Sequence, residues 1–547
     1  MTAAGTAADD AGLVAVRAPQ DAAYHEVLEG LVDDHVASRI ASRDATLWGE
    51  AAQDEASRRL GWVDLSRDSR ALVEEISMLG VQLREQGLAH VVLCGMGGSS
   101  LAPEVICAAA GVELEVLDSS SPDVVRRAVE DRLGETVVVV SSKSGGTVET
   151  DSQRRAYEQA FRDAGIDPAE RIVVVTDPGS PLEQTAREAG YRVFLADPEV
   201  GGRYSALTAF GLVPSGLAGA DVLGLLEQAE AVRPRLETDA ADNPGLVLGA
   251  LLGAANLAGV DKLVLAAAGD RYPGLADWIE QLIAESTGKE GHGILPVVVD
   301  SLDAAAETVR HPDALVATYG PQADAAAGLP VASGWSAHLD LPLGAQMLVW
   351  EYATAVAGRV IGINPFDQPD VESAKAAARS MLDGEASSPV PAFVDGAVTA
   401  YASDEWLPAG TDSVAGAVAA LLAAIDPERG YLAVQAYLDR HAHAALAQVR
   451  DRLALTAHRP VTFGWGPRFL HSTGQYHKGG PATGVFLQVT SAPEADLAVP
   501  GRPFTFQKFI TAQAVGDGQV QADAGRPVLR LHVSSAAGLD AVRAALS

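Results

Sequence analysis

Two short stretches place small hydroxyls, glycines and one cation where an apolar run gives way to a helix-like segment. GMGGSS (95–100) follows VVLC, and SSKSGGT (141–147) follows VVVV. At a strand's carboxyl end the next helix leaves its first backbone N–H groups unpaired, so such a loop can cradle an anion. Glycines let the backbone come close, and Ser99, Ser142, Ser144 and Thr147 add neutral donors with Lys143 nearby. Two such loops in one sheet suit a phosphomonoester better than either would alone.

Further along the chain lie groups able to move protons or stabilise charge. Arg203 in GGRYS reads either as a helix-cap partner or as a cation facing a reacting oxygen. Glu285 in IAESTGKEG shares a helical face with Leu282 and Trp278, at i−3 and i−7. A carboxylate beside apolar groups is expected to hold its proton more tightly, which suits a general base near neutral pH. Gln368 and Lys375 in INPFDQPDVESAK stand seven residues apart at a capped helix start, with Asp367 or Asp370 as the cap. HSTGQYHKGG (471–480) packs His471, Gln475, His477 and Lys478 into what reads as a Gly-flanked loop, and His292 in KEGHG is a weaker candidate.

Several chemistries lack their motifs. Walker A is absent, and the dinucleotide fingerprint fails because Ser100 stands where its third glycine is needed. No HExxH, CxxC pair or GxSxG elbow occurs, so neither a metal centre nor a serine hydrolase is expected.

The elements that must position these residues alternate. From about residue 86, continuously apolar runs (HVVLC, TVVVV, RIVVV, DKLVLAA, ILPVVVD) are separated by helical segments, which predicts parallel sheets buried on both faces. The expected fold class is α/β: two doubly wound parallel-sheet domains at 86–235 and 236–385, after a helical N-terminal segment (1–85). A C-terminal α/β region (386–547) follows a Pro/Ser/Gly-rich stretch at 383–397.

Composition bounds the partners. The 547 residues carry 72 Asp and Glu against 40 Lys and Arg, a formal charge of −32, which disfavours nucleic acid and anionic lipid. Two cysteines in apolar surroundings, Cys94 and Cys107, fit a reducing compartment, so a cytoplasmic protein without leader or membrane span is expected.

Taken in order, GMGGSS, SSKSGGTVET, GGRYS, ESTGKEG and NPFDQ resemble the glucose-6-phosphate isomerase (phosphoglucose isomerase) family, built from sugar-isomerase (SIS) domains. The resemblance covers about residues 90–380. It implies Ser99, Ser142, Lys143, Ser144 and Thr147 as ligands of the substrate phosphate, Glu285 as the base and Arg203 as the stabilising cation. It further implies Gln368 and Lys375 as late active-site residues. The family's GTNGQH-like segment, with its ring-opening histidine, is missing between the Glu and FDQ motifs. HSTGQYHKGG looks like its displaced counterpart, with His477 favoured and His471 the alternative. That layout is similar to the isomerase part of transaldolase/glucose-6-phosphate isomerase fusions, and the isomerase part alone is expected here.

The resemblance implies exchange of glucose 6-phosphate with fructose 6-phosphate through a cis-enediol, without cofactor or metal, in a homodimer. A non-catalytic sugar-phosphate-binding regulator and an isomerase also acting on mannose 6-phosphate are the alternatives. Glu285 separates the regulator from the enzyme, since recognition alone needs no base.

Overall fold

The computed structural model describes residues 13–269, 271–382, 389–402 and 406–547; the side chains of 371–375 and the stretch 383–388, part of the expected boundary, lie outside the described residues. The chain forms two compact units. The first comprises Met1–Asp118, Val129–Thr287 and Gly293–Asp367; the second comprises Ser119–Ala128, Gly288–His292 and Gln368–Ser547.

Ten strands belong to the first unit: β1 (Val14–Arg17), β2 (His90–Gly95), β3 (Glu115–Leu117), β4 (Thr136–Ser141), β5 (Ile172–Thr176), β6 (Arg192–Leu195), β7 (Lys262–Ala267), β8 (Leu295–Val298), β9 (Ala314–Tyr319) and β10 (Ser336–Leu339). They make two five-stranded sheets, ordered β3-β2-β4-β5-β6 and β1-β10-β9-β7-β8. All pairings in the first are parallel, and β2 and β4 are buried along their whole length, as continuous apolar runs require. The second sheet is parallel except for β1, which joins β10 antiparallel. The N-terminal segment is therefore not wholly helical: VAVR alternates buried and half-buried residues and completes a sheet formed more than two hundred positions later.

Helix Pro244–Leu257 packs along helix Leu343–Ile361. A Cβ on Gly249 or Gly253 would come within 2.5 Å of Val356 or Val360 side-chain atoms, so glycine is what allows this close crossing. The helix starts cleanly because Asn243 accepts from the Gly245 and Leu246 N–H groups, with Pro244 at the first position.

The second unit is built on β11 (Phe393–Asp395), β12 (Val398–Ala402), β13 (Tyr431–Tyr437), β14 (Val461–Trp465), β15 (Gly484–Ser491) and β16 (Val528–Val533), ordered β11-β12-β16-β15-β13-β14. β13 to β16 pair in parallel, while the β11–β12 hairpin adds an antiparallel edge. No helix among the described residues is long and apolar enough to cross a membrane.

Candidate active site

β2 and β4 are neighbours, yet the chain runs from β2 outward to β3 before returning to β4 on the other side. This is the topological switch point of the first sheet, where ligands of doubly wound folds bind beyond the strands' carboxyl ends. Both hydroxyl-rich loops leave from it, and Gly95 and Ser141 are register partners. The sequence puts each loop at a strand's carboxyl end, and register puts the two side by side.

The first loop turns through Gly97 at φ +56° into helix Leu101–Ala110, with Ser99 buried. In the second loop, Thr147 stands at the N-terminus of helix Val148–Asp163, and the Ser142 hydroxyl donates to Thr147 Oγ1 at 3.2 Å. The loop is tied to the end of β5: Ser142 N–H donates to Val175 O, and Thr176 Oγ1 donates to Ser142 O at 2.7 Å. Ser144 is exposed, and its Oγ accepts from Gly146 N–H.

Lys143 is not a bare cation. Its Nζ donates to Asp177 Oδ2 at 2.6 Å. Burial pushes Lys143 below the usual lysine value and Asp177 above the usual carboxylate value, and the attraction between them only partly offsets that cost. Asp177 went unnoticed in the sequence, where it lies 34 residues from its partner.

The GGRYS segment packs directly on the first loop. A Cβ on Gly98 would sit 2.0 Å from Gly202 O, and the Ser205 hydroxyl reaches Gly98 O at 3.2 Å. From there Arg203 points inward, only 3% exposed. Its Nε donates to Ser286 Oγ at 2.8 Å, and Nη2 donates to the carbonyls of Pro365 and Asp367 at 2.7 and 3.0 Å. Nη1 faces Glu285 Oε2 at 3.8 Å, a separation of charge attraction rather than a hydrogen bond.

Glu285 lies in the last turn of helix Leu275–Thr287 and is 6% exposed. Its sequence neighbours on that face, Trp278 and Leu282, are buried as the periodicity predicted. The carboxylate is thus no solvated helix end, and its surroundings combine apolar side chains with a guanidinium. Ser286 and Tyr204 complete this ring, the tyrosine's pKa being pushed up to about 12 by burial.

The remaining candidates belong to the second unit. Gln368 is exposed; Lys375 lies in helix Val371–Leu382, and its side chain lies outside the described residues. The histidine segment is not a loop. Arg468–His471 forms a 3-10 turn and Gly474–Gly479 a short α-helix. Gln475 holds it in place, donating to Gly288 O at 2.9 Å and Asp370 Oδ2 at 2.7 Å while its Oε1 accepts from Asp370 N–H. Asp370 therefore serves the histidine helix.

His477 is 2% exposed, with Nδ1 at 2.9 Å from the Tyr431 hydroxyl and Phe486 edge-on to its ring. Burial, reinforced by the Lys478 and Arg526 cations, holds it well below the usual histidine value. Its imidazole is therefore neutral at physiological pH and oriented by a tyrosine that no local sequence signal marks. His471 is half-buried, whereas His292 is exposed in the Gly288–His292 turn.

Residues 66–297 match the phosphoglucose isomerase family. A curated relative from Haloarcula marismortui, named "Probable glucose-6-phosphate isomerase", is 29% identical over 343 residues, spanning 54% of this chain and 79% of that protein. Among solved structures, a hypothetical protein from Thermus thermophilus aligns with TM-score 0.58 at 26% identity, covering 66% of this chain and 97% of its own. A glucose-6-phosphate isomerase from Chlamydia trachomatis shares the fold with TM-score 0.56 at 20% identity, over 69% of this chain and 89% of its own. The segment that matches the phosphoglucose isomerase family holds both hydroxyl loops, Arg203 and Glu285.

Proposed function

We propose that the chain interconverts glucose 6-phosphate and fructose 6-phosphate. The observation that carries this reading is the buried pair of Glu285 and Arg203, a carboxylate and a guanidinium 3.8 Å apart on the segment matched to the family. Binding alone needs no buried carboxylate opposite a cation, whereas proton transfer between adjacent carbons needs both.

In this reading the loops at the β2/β4 switch point hold the phosphate through Ser99, Ser142, Ser144, Thr147 and Lys143. Fixing that inert end makes proton transfer at C1 and C2 effectively intramolecular. A histidine, His477 with His471 as the alternative, moves the proton that opens the hemiacetal, assisted by Lys375. Glu285 then removes the proton on C2, the electron pair forms the C1–C2 double bond, and the C1 carbonyl oxygen gains negative charge. Arg203 stabilises that charge without competing for the proton. Return of the proton to C1, with passage of the C2 hydroxyl proton to the C1 oxygen, leaves the C1 hydroxyl and the C2 carbonyl of the ketose. Gln368 contributes a neutral hydrogen bond to the sugar or to a catalytic water. The burial of both free cysteines supports a cytoplasmic setting, and a homodimer belongs to the same proposal.

The test is formation of fructose 6-phosphate from glucose 6-phosphate by the purified chain in EDTA, together with solvent deuterium entry at C2 of recovered substrate. Wild type is expected to do both and Glu285→Gln neither. Equal rates in the two proteins would remove Glu285 as the base; a folded wild type inert in both assays would remove the enzyme.

A further inference from the structure

The C-terminal sheet carries a cleft of about 350 Å³ between β16, the end of β15 and helix Phe506–Asp523. It lies in the part of the chain beyond the segment matched to the family. At its base Arg530, half-buried, lies across the Tyr401 ring with Cζ 4.2 Å from the centroid. The two are register partners across β12 and β16, so the strands themselves fix this stack.

Arg530 has no carboxylate partner among the described residues, in a chain with 72 acidic side chains. A partly desolvated guanidinium without a counter-ion is costly unless something anionic visits it. Uncharged donors surround it. Thr490 and His532 are register partners, joined through Oγ1 and Nδ1 at 3.0 Å. Tyr437 lines the same cleft, its hydroxyl buried and without a hydrogen-bond partner among the described residues. From the helix, Thr511 and Gln507 face in, the amide donating to Thr511 Oγ1 at 3.2 Å.

We infer that this cleft is a binding site for a small phosphomonoester, with Arg530 taking the phosphate and the Tyr437 and Thr490 hydroxyls completing its shell. One fork-shaped cation with several hydroxyl donors suits a tetrahedral anion of three free oxygens. The cleft's volume lies at the low end of small-molecule sites, so the ligand is a small metabolite. A net charge of −32 opposes polyanions such as nucleic acid.

The test is calorimetric titration of the full chain with glycerol 3-phosphate, inorganic phosphate and citrate, in wild type, Arg530→Met, Thr490→Val and the loop double variant Ser142→Ala/Thr147→Ala. The expected result is a glycerol 3-phosphate site that survives the loop double variant, weakens at least tenfold in Arg530→Met and weakens severalfold in Thr490→Val. Inorganic phosphate and citrate should bind it less tightly. Melting temperature and isomerisation rate report on folding of the Arg530 and Thr490 variants. Wild-type binding in both folded variants would overturn the site; inorganic phosphate or citrate binding as tightly as glycerol 3-phosphate would overturn the ligand class. Because the loop variant addresses the catalytic site separately, failure of this inference and failure of the isomerase reading give different results.

Discussion

Arg203 meets Glu285 at 3.8 Å while spending its other donors on Ser286 Oγ and on the carbonyls of Pro365 and Asp367. The guanidinium is thus fixed by neutral acceptors, and its charge stays directed at the carboxylate and whatever lies beside it. Lysine could supply the charge but not the fork. Arg203→Lys is expected to lower kcat by about 10²-fold or more, in the range of losing one preorganised charge donor. It should also destabilise by about 1–3 kcal/mol, since buried carbonyls lose their partner. Steady-state kinetics beside thermal melts will separate the two effects, and an unchanged kcat would remove Arg203 from the reacting centre.

Gly98 tests whether the loops must touch. A methyl there would stand 2.0 Å from Gly202 O, which belongs to backbone and cannot rotate away. Gly98→Ala is therefore expected to push the GGRYS turn off the first loop, costing about 1–3 kcal/mol by overpacking and most of the activity through displaced Arg203. Gly134→Ala, with open space around the added carbon, should leave both nearly unchanged.

Lys143 and Asp177 make a prediction about binding rather than turnover. The lysine's Nζ is already engaged by a carboxylate, so in the proposed reading the substrate phosphate competes with Asp177 for it. Asp177→Asn is expected to lower KM for glucose 6-phosphate and Lys143→Met to raise it, with kcat changing less in both, as for a contact made equally in ground and transition states. A fall in kcat with constant KM in Lys143→Met would place the lysine at the reacting end instead.

The sheets were legible because VVLC, VVVV and IVVV cannot be solvated on either face, and the hydroxyl-rich loops because glycines and hydroxyls follow those runs at once. Glu285 was legible from its i−3 and i−7 neighbours. What escaped was decided over long separations. VAVR becomes a strand only because β10 offers it an edge, and its Ala-rich surroundings read as helix. HSTGQYHKGG reads as a loop because glycines flank it; its short helix is held by Gln475 bonds to Gly288 and Asp370, 187 and 105 residues away. Tyr431, which orients His477, lies 46 residues upstream and looks like any strand aromatic.

That tyrosine carries its own expectation. With Nδ1 held by the Tyr431 hydroxyl, the His477 ring keeps one orientation, as a base positioned by a third group must. Tyr431→Phe removes the bond and little volume. If His477 opens the ring, the variant should lose rate on cyclic glucose 6-phosphate while solvent exchange at C2 of the open-chain form is retained. His471→Asn supplies the comparison: a ring-opening defect there, with Tyr431→Phe and His477→Asn unaffected, would move the assignment to His471.

Glu351 contributes to stability with a sign opposite to that of a paired carboxylate. It lies fully buried in helix Leu343–Ile361, both oxygens without a hydrogen-bond partner among the described residues, and burial raises its pKa well above the usual carboxylate value. Between the unfolded pKa, about 4.3, and that raised value, the folded state holds a proton that the unfolded state releases, so this group's contribution falls as pH rises through the window. Glu351→Gln keeps the shape and removes the ionisation. The variant is expected to melt higher than wild type at pH 7, with the difference shrinking toward about pH 3, where the wild-type carboxyl is protonated in both states. Each unit of pKa difference corresponds to about 1.4 kcal/mol. Comparing the two proteins at each pH cancels the other titrating groups, including His477, whose depressed pKa makes stability fall as pH drops below about 6.5. A pH-independent difference between Glu351→Gln and wild type would mean that the carboxyl is ionised in the folded protein.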